Sequence, residues 1–92
     1  MDIGKVIQIL EHYGHDKQKL KACEELTELQ AVLMQIINKG INPIFLHELI
    51  GEIADVKIML AQLELIYCID PDELREIIEY KLDRQIKRIE DE

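Results

Sequence analysis

The chain has no tryptophan and only four aromatic residues, Tyr13, Phe45, Tyr67 and Tyr80, among 92. Its core must therefore be built from Ile, Leu, Val and Met. Cysteine is equally scarce: Cys23 and Cys68 are isolated thiols inside helical patterns. Such a pair does not make a disulfide framework and fits a reduced, cytoplasmic setting. Basic residues are outnumbered, 11 Lys and Arg against 19 Asp and Glu, for a net charge of −8. That balance excludes nucleic-acid binding through a broad basic face. It does not exclude a small polyanion, because bound cations invert the local field. No apolar run is long enough to span a membrane, and no basic stretch followed by an apolar one suggests a signal peptide. Glycine-rich and low-complexity segments are also missing.

What is present is a single domain, residues 1–92, with 48% apolar and 33% charged residues. Those proportions are globular rather than disordered. A chain this short buries only about 60–65% of its unfolded surface, so its solitary core is marginal and oligomerisation is a common remedy.

Periodicity predicts an all-α fold of four helices. The first spans about Asp2 to Tyr13, with Ile3, Val6, Ile7 and Leu10 on one face and Gly14 as its stop. The second spans about Asp16 to Asn38, with Asp16 as cap and an inner face of Ala22, Cys23, Leu26, Leu29, Leu33 and Ile37. Gly40, Asn42 and Pro43 form a stop, a cap and a first helical position. The third helix spans about Pro43 to Ile69, with Leu46, Leu49, Ile50, Ile53, Val56 and Leu60 inside. At ~1.5 Å per residue it would be about 40 Å long, more than a compact domain of this size can cover, so part of it is expected to pack on another subunit. Asp70-Pro71-Asp72-Glu73 is a strong helix start. The fourth helix then runs to about Ile89, with Leu74, Ile78, Leu82, Ile86 and Ile89 inside, and Asp91 and Glu92 fraying.

Two acid pairs, Glu25-x-x-Glu28 and Glu52-x-x-Asp55, carry the functional signal. A spacing of three sets both members on one side of a helix. A lone ExxE is ordinarily a solvated face, since Glu is a good helix former and is seldom buried. The stripes they belong to argue otherwise. Lys21, Glu25, Glu28, Val32 and Ile36 align on the second helix, and Glu48, Glu52, Asp55, Met59 and Leu63 on the third. In each, acids give way to aliphatics, whereas a solvated stripe should stay polar. Grouped carboxylates with one lysine beside them need protons or a cation. Oxygen-only donors suit Mg²⁺, with Mn²⁺ as a substitute; zinc would recruit His or Cys, and a di-iron site would want Glu-x-x-His. His12, His15 and His47 read as surface or cap residues. Lys81, Arg84 and Arg88 flank the apolar face of the fourth helix beside Ile77, either as dipole partners of the helix end or as phosphate contacts.

At these residues the chain resembles the MazG-type all-α nucleoside triphosphate pyrophosphohydrolases, most closely the short bacterial or phage type. Glu24-Glu25-Leu26-Thr27-Glu28 resembles their EExxE motif, Glu52-Ile53-Ala54-Asp55 their ExxD motif, and Lys81-Leu82-Asp83-Arg84-Gln85 the basic segment that follows. The resemblance covers about Lys19 to Ile89, with residues 29–51 as the variable spacer. Gly51 before Glu52, and Glu79 two positions before Lys81, depart from the longer members.

The resemblance implies a MazG-like bundle completed by oligomerisation into a dimer or tetramer. It implies Mg²⁺-dependent hydrolysis of a nucleoside triphosphate to monophosphate and pyrophosphate. By motif position, Glu25, Glu28, Glu52 and Asp55 would hold the metal. Lys81 and Arg84 would contact phosphates, and Lys21 joins them as a neighbouring cation. Glu25 or Glu28 would take the proton of the attacking water. Glu24 and Glu48 stand as supporting acids. Two rival expectations remain: a related pyrophosphohydrolase confined to dUTP, dCTP or phosphoribosyl-ATP, and a non-catalytic helical interaction protein.

Overall fold

A computed structural model describes all 92 residues, which form four α-helices joined by short turns and no strand: α1 Ile3–Tyr13, α2 His15–Lys39, α3 Pro43–Ile66 and α4 Pro71–Glu90. Local chemistry explains most of the boundaries. Asp2 caps α1, its carboxylate accepting from the Lys5 amide at 3.3 Å. Gly14 ends α1 at φ 88°, a conformation that glycine adopts without steric cost. The same residue starts α2 with no side-chain cap. Asp16, expected as that cap, instead lies in the first turn, where its charge meets the positive end of the helix dipole. Asn42 caps α3 through Phe45 N at 2.8 Å, with Pro43 following it.

α3 stops at Ile66 rather than Ile69. The amide of Cys68 bonds to Leu65 O at 3.2 Å, and that of Ile69 to Glu64 O at 2.9 Å. This is a Schellman closure, with Cys68 at φ 49° in the place usually taken by glycine. The chain is then extended at Asp70, as a residue before proline prefers, and Asp70 caps α4 through Asp72 N at 2.9 Å. Cys23 and Cys68 are free and exposed, and no helix is long and apolar enough to cross a membrane.

α2 and α3 form a long antiparallel hairpin, α1 packs across both, and α4 packs on none of the other three. The hairpin is joined along a seam. On α2 the seam is Gln18, Ala22, Glu25, Leu29, Val32 and Ile36; on α3 it is Phe45, Leu49, Glu52, Val56, Met59, Leu63 and Ile66, with Gln62 beside Leu63, all buried or half-buried. The alternating spacing of three and four is the pattern of helices meeting at a small crossing angle. The stripes read from the sequence through Glu25, Val32 and Ile36, and through Glu52, Met59 and Leu63, are therefore parts of this seam.

The face expected to form the interior is a correction. Of the predicted inner residues of α2, Ala22 is buried and Leu29 half-buried, while Cys23, Leu26, Leu33 and Ile37 are exposed. On α3, Val56 is buried and Leu49 half-buried, while Leu46, Ile50, Ile53 and Leu60 are exposed. Ile3 and Ile7 of α1, and Ile78, Leu82, Ile86 and Ile89 of α4, are exposed as well. The reason is geometric: one partner helix covers one stripe, and a broad apolar face needs a further layer. Only eight residues are buried, five of them apolar: Val6, Leu10, Ala22, Val56 and Met59. The radius of gyration is 16.3 Å, against about 12 Å for a compact domain of this length.

Candidate metal centre

The hairpin register assembles the site. Gln18 lies against Gln62, donating from Nε2 to Oε1 at 2.7 Å. Two turns further along each helix, the same register sets Glu25 against Asp55, with Glu28 facing Glu52 one turn beyond. Glu25, Glu52 and Asp55 each offer a carboxylate oxygen, and these three oxygens lie within 4.8 Å of one another. Glu25 is buried at 7% exposure, Glu52 is half-buried, and Asp55 is exposed at the rim.

The electrostatics of this trio are unbalanced. Oε2 of Glu25 and Oε2 of Glu52 are buried without a hydrogen-bond partner. A buried carboxylate oxygen left unpaired is costly, and more so beside further carboxylates. Lys21 is the one cation paired to the cluster, its Nζ 3.2 Å from Glu25 Oε1 and 3.5 Å from Glu24 Oε2. These bonds, that to Glu25 foremost, raise the lysine's pKa above its usual 10.5. Glu28 shows the surplus of negative charge. Its pKa is raised above the ordinary 4.5, first by a hydrogen bond to Glu25 when Glu28 is protonated, then by the Glu25 charge, burial and the Glu52 charge, with Lys21 opposing. One lysine does not neutralise four acids.

A cation would. The trio could hold a metal ion, and its donors are all carboxylate oxygens, the set preferred by hard divalent cations. The two orphaned oxygens are the feature that fits such an ion best.

The other expected residues are placed less centrally. Glu28 is exposed and outside the trio, yet close enough to feel Glu25 and Glu52. Glu24 is exposed and turned to Lys21. Glu48 is exposed, one turn before Glu52, and does not join the trio. Lys81 and Arg84 lie on α4, which touches none of the other helices, so one chain alone does not bring them to the acids; Arg84 lies over the Tyr80 ring, 5.8 Å from its centroid.

A cavity of about 580 Å³ opens beside the cluster; Glu25, Asp55, Gln18 and Gln62 line it together with Ile9 and Tyr13 of α1. Gln18 and Gln62 were not among the expected site residues. The signal available was a polar residue in register with the acid stripe, visible only once the seam is known. Compared with known proteins, the chain matches no family model, no curated protein and no solved structure.

Proposed function

We propose that the chain is a Mg²⁺-dependent nucleoside triphosphate pyrophosphohydrolase of the MazG-like kind. The observation that carries this reading is the trio of Glu25, Glu52 and Asp55 oxygens within 4.8 Å, with two buried carboxylate oxygens lacking partners. When bound, Mg²⁺ supplies charge neutralisation and polarisation of phosphate oxygens. Glu25, Glu52 and Asp55 hold it. Glu28, displaced from the trio and with its pKa already raised, takes a proton from the attacking water. Water adds across a phosphoanhydride bond, and the products are a nucleoside monophosphate and pyrophosphate. Lys21, which stands beside Glu25, would contact a substrate phosphate. Glu24 and Glu48 hold supporting positions at the rim.

The same reading includes assembly into a dimer or tetramer. Leu26, Leu33 and Ile37 on α2, with Ile50, Ile53 and Leu60 on α3, leave an apolar face open, and exposed apolar patches of this kind mark contact surfaces. α4 carries Lys81 and Arg84 outside its own bundle, and a partner copy offers a route by which they meet the acids. The open face equally favours a second reading, a non-catalytic helical interaction protein.

Incubation with Mg²⁺ and a panel of ribo- and deoxyribonucleoside triphosphates separates the readings. Monophosphate plus pyrophosphate is expected. Diphosphate plus phosphate would indicate a different hydrolase. No saturable Mg²⁺ binding by calorimetry, together with no turnover, would leave the interaction reading.

A further inference from the structure

The geometry points to the cavity beside the acid cluster as a nucleobase pocket, in which the Gln18–Gln62 amide pair reads the hydrogen-bonding edge of the base. This rests on the triphosphate reading of the acid cluster, and it names the part of the substrate that the metal does not touch.

Gln62 is the most deeply buried large side chain in the protein, at 1% exposure, and Gln18 is buried at 6%. Gln62 accepts from Gln18 through Oε1, yet its own Nε2 is buried with no partner. A primary amide carries two N–H donors as well as its carbonyl, so this leaves a strong donor group unused in the interior. A pair that served only to hold the helices in register would need no unused donor, and leucine at both positions would pack without that cost. Both amides line the cavity, and so does Glu25.

The surroundings suit a flat heterocycle. Ile9, Ile58 and Met59 supply apolar walls, and Tyr13 supplies a ring. A cavity of about 580 Å³ falls in the range of small-molecule sites, which are mostly apolar with a few convergent polar groups. The amide pair lies two turns along the seam from Glu25 and Asp55, or about 10 Å. That interval leaves room for a pentose between a base on the amides and a phosphate at the acids. Exchanging the nitrogen and oxygen of both amides changes which atom lies deepest, but one donor and one acceptor of the pair stay unused, the one on Gln62 covered in the unliganded protein. Such a pair matches an edge with a donor beside an acceptor, which every nucleobase has and inorganic tripolyphosphate lacks.

The test compares wild type with Gln62→Leu and the double variant Gln18→Leu/Gln62→Leu, in which the seam gains apolar packing and folding is preserved. Steady-state hydrolysis is measured on four deoxynucleoside triphosphates and on inorganic tripolyphosphate with Mg²⁺. Side-chain amide resonances of Gln18 and Gln62 are followed by NMR during titration of nucleoside monophosphates without metal. The expected result is a rise in KM of roughly tenfold or more for all four nucleotides. The KM for tripolyphosphate stays unchanged, and the wild-type glutamine amides shift with the monophosphates. Turnover by wild type with unmoved amides, or an unchanged nucleotide KM in Gln62→Leu, would overturn the pocket while leaving the metal reading intact. Shifted amides without hydrolysis of any triphosphate would uphold the pocket and overturn the metal reading instead.

Discussion

Two rungs of the α2–α3 seam, two helical turns apart, place polar side chains where a helical hairpin ordinarily buries aliphatics. At the first, Gln18 and Gln62 meet through a 2.7 Å hydrogen bond. At the second, Glu25, Glu52 and Asp55 bring carboxylate oxygens within 4.8 Å and find only Lys21 in opposition. Neutral amides can be donor and acceptor to each other, so that rung is partly self-sufficient. Ionised carboxylates only accept, so the second rung is held together by something outside the acid set: a proton, a lysine or a cation. The difference separates a surface suited to an uncharged polar ligand from one suited to a metal, on a single pair of helices.

The sharpest way to break this contrast is to make the acidic rung resemble the amide rung. Glu25→Gln or Glu52→Gln should lower Mg²⁺-dependent turnover by about a hundredfold or more while the helical circular dichroism is kept. In metal-free protein the same changes remove repulsion, and thermal unfolding should show equal or higher stability, by about 1 kcal/mol for the buried Glu25. Full activity in either variant would dismantle the metal site.

Next in size is the response to metal. At Mg²⁺ one hundred times its dissociation constant, wild type should gain about 2.7 kcal/mol of stability. Gln62→Leu should gain about as much, and Glu52→Gln little. A thermal melt that Mg²⁺ does not move in wild type would refute this.

Proton linkage comes third. Glu28 holds its proton more tightly folded than unfolded. An acid with a raised folded pKa contributes stability that is fully present below the unfolded value near 4.5 and is lost as pH rises through the folded value. A divalent cation competes with that proton, so Mg²⁺ affinity should increase across the same window, and binding should release protons there. Calorimetry in two buffers of different ionisation enthalpy measures the release. Glu28→Gln should abolish it.

The smallest effect is expected at the rim. Glu48→Gln changes an exposed residue outside the trio, and stability should stay within about 0.5 kcal/mol of wild type. Turnover lowered as far as in Glu52→Gln would place Glu48 among the ligands.

Much of this was legible before any tertiary contact was known. Asn42 and Asp70 are short polar side chains followed by apolar periodicity, and both cap the helices they precede. The passage from Glu25 to Val32 and Ile36, and from Glu52 to Met59 and Leu63, marked those stripes as inward before the seam was seen. The failures have equally specific causes. Asp16 looks like the cap of α2 because glycine leaves no side-chain signal at the position it occupies. The periodicity of the third helix extends to Ile69 because a Schellman closure centred on Cys68 carries no glycine to announce it. Leu26, Leu33, Leu46 and Ile50 read as interior because they are apolar and periodic, properties that hold equally for a face awaiting another layer.

By itself, the sequence determined four helices, the caps of the third and fourth, and the sharing of one helix side by Glu25 with Glu28 and by Glu52 with Asp55. These depend on residues a few positions apart, where backbone geometry sets every distance. Tertiary structure alone decided which stripe closed the hairpin. It set Gln18 on Gln62 and Glu25 opposite Asp55, opened the cavity under α1, and left α4 unpacked. Those outcomes depend on the register between residues far apart in the chain, which one turn at Gly40–Asn42 sets for the whole hairpin and which no local spacing contains.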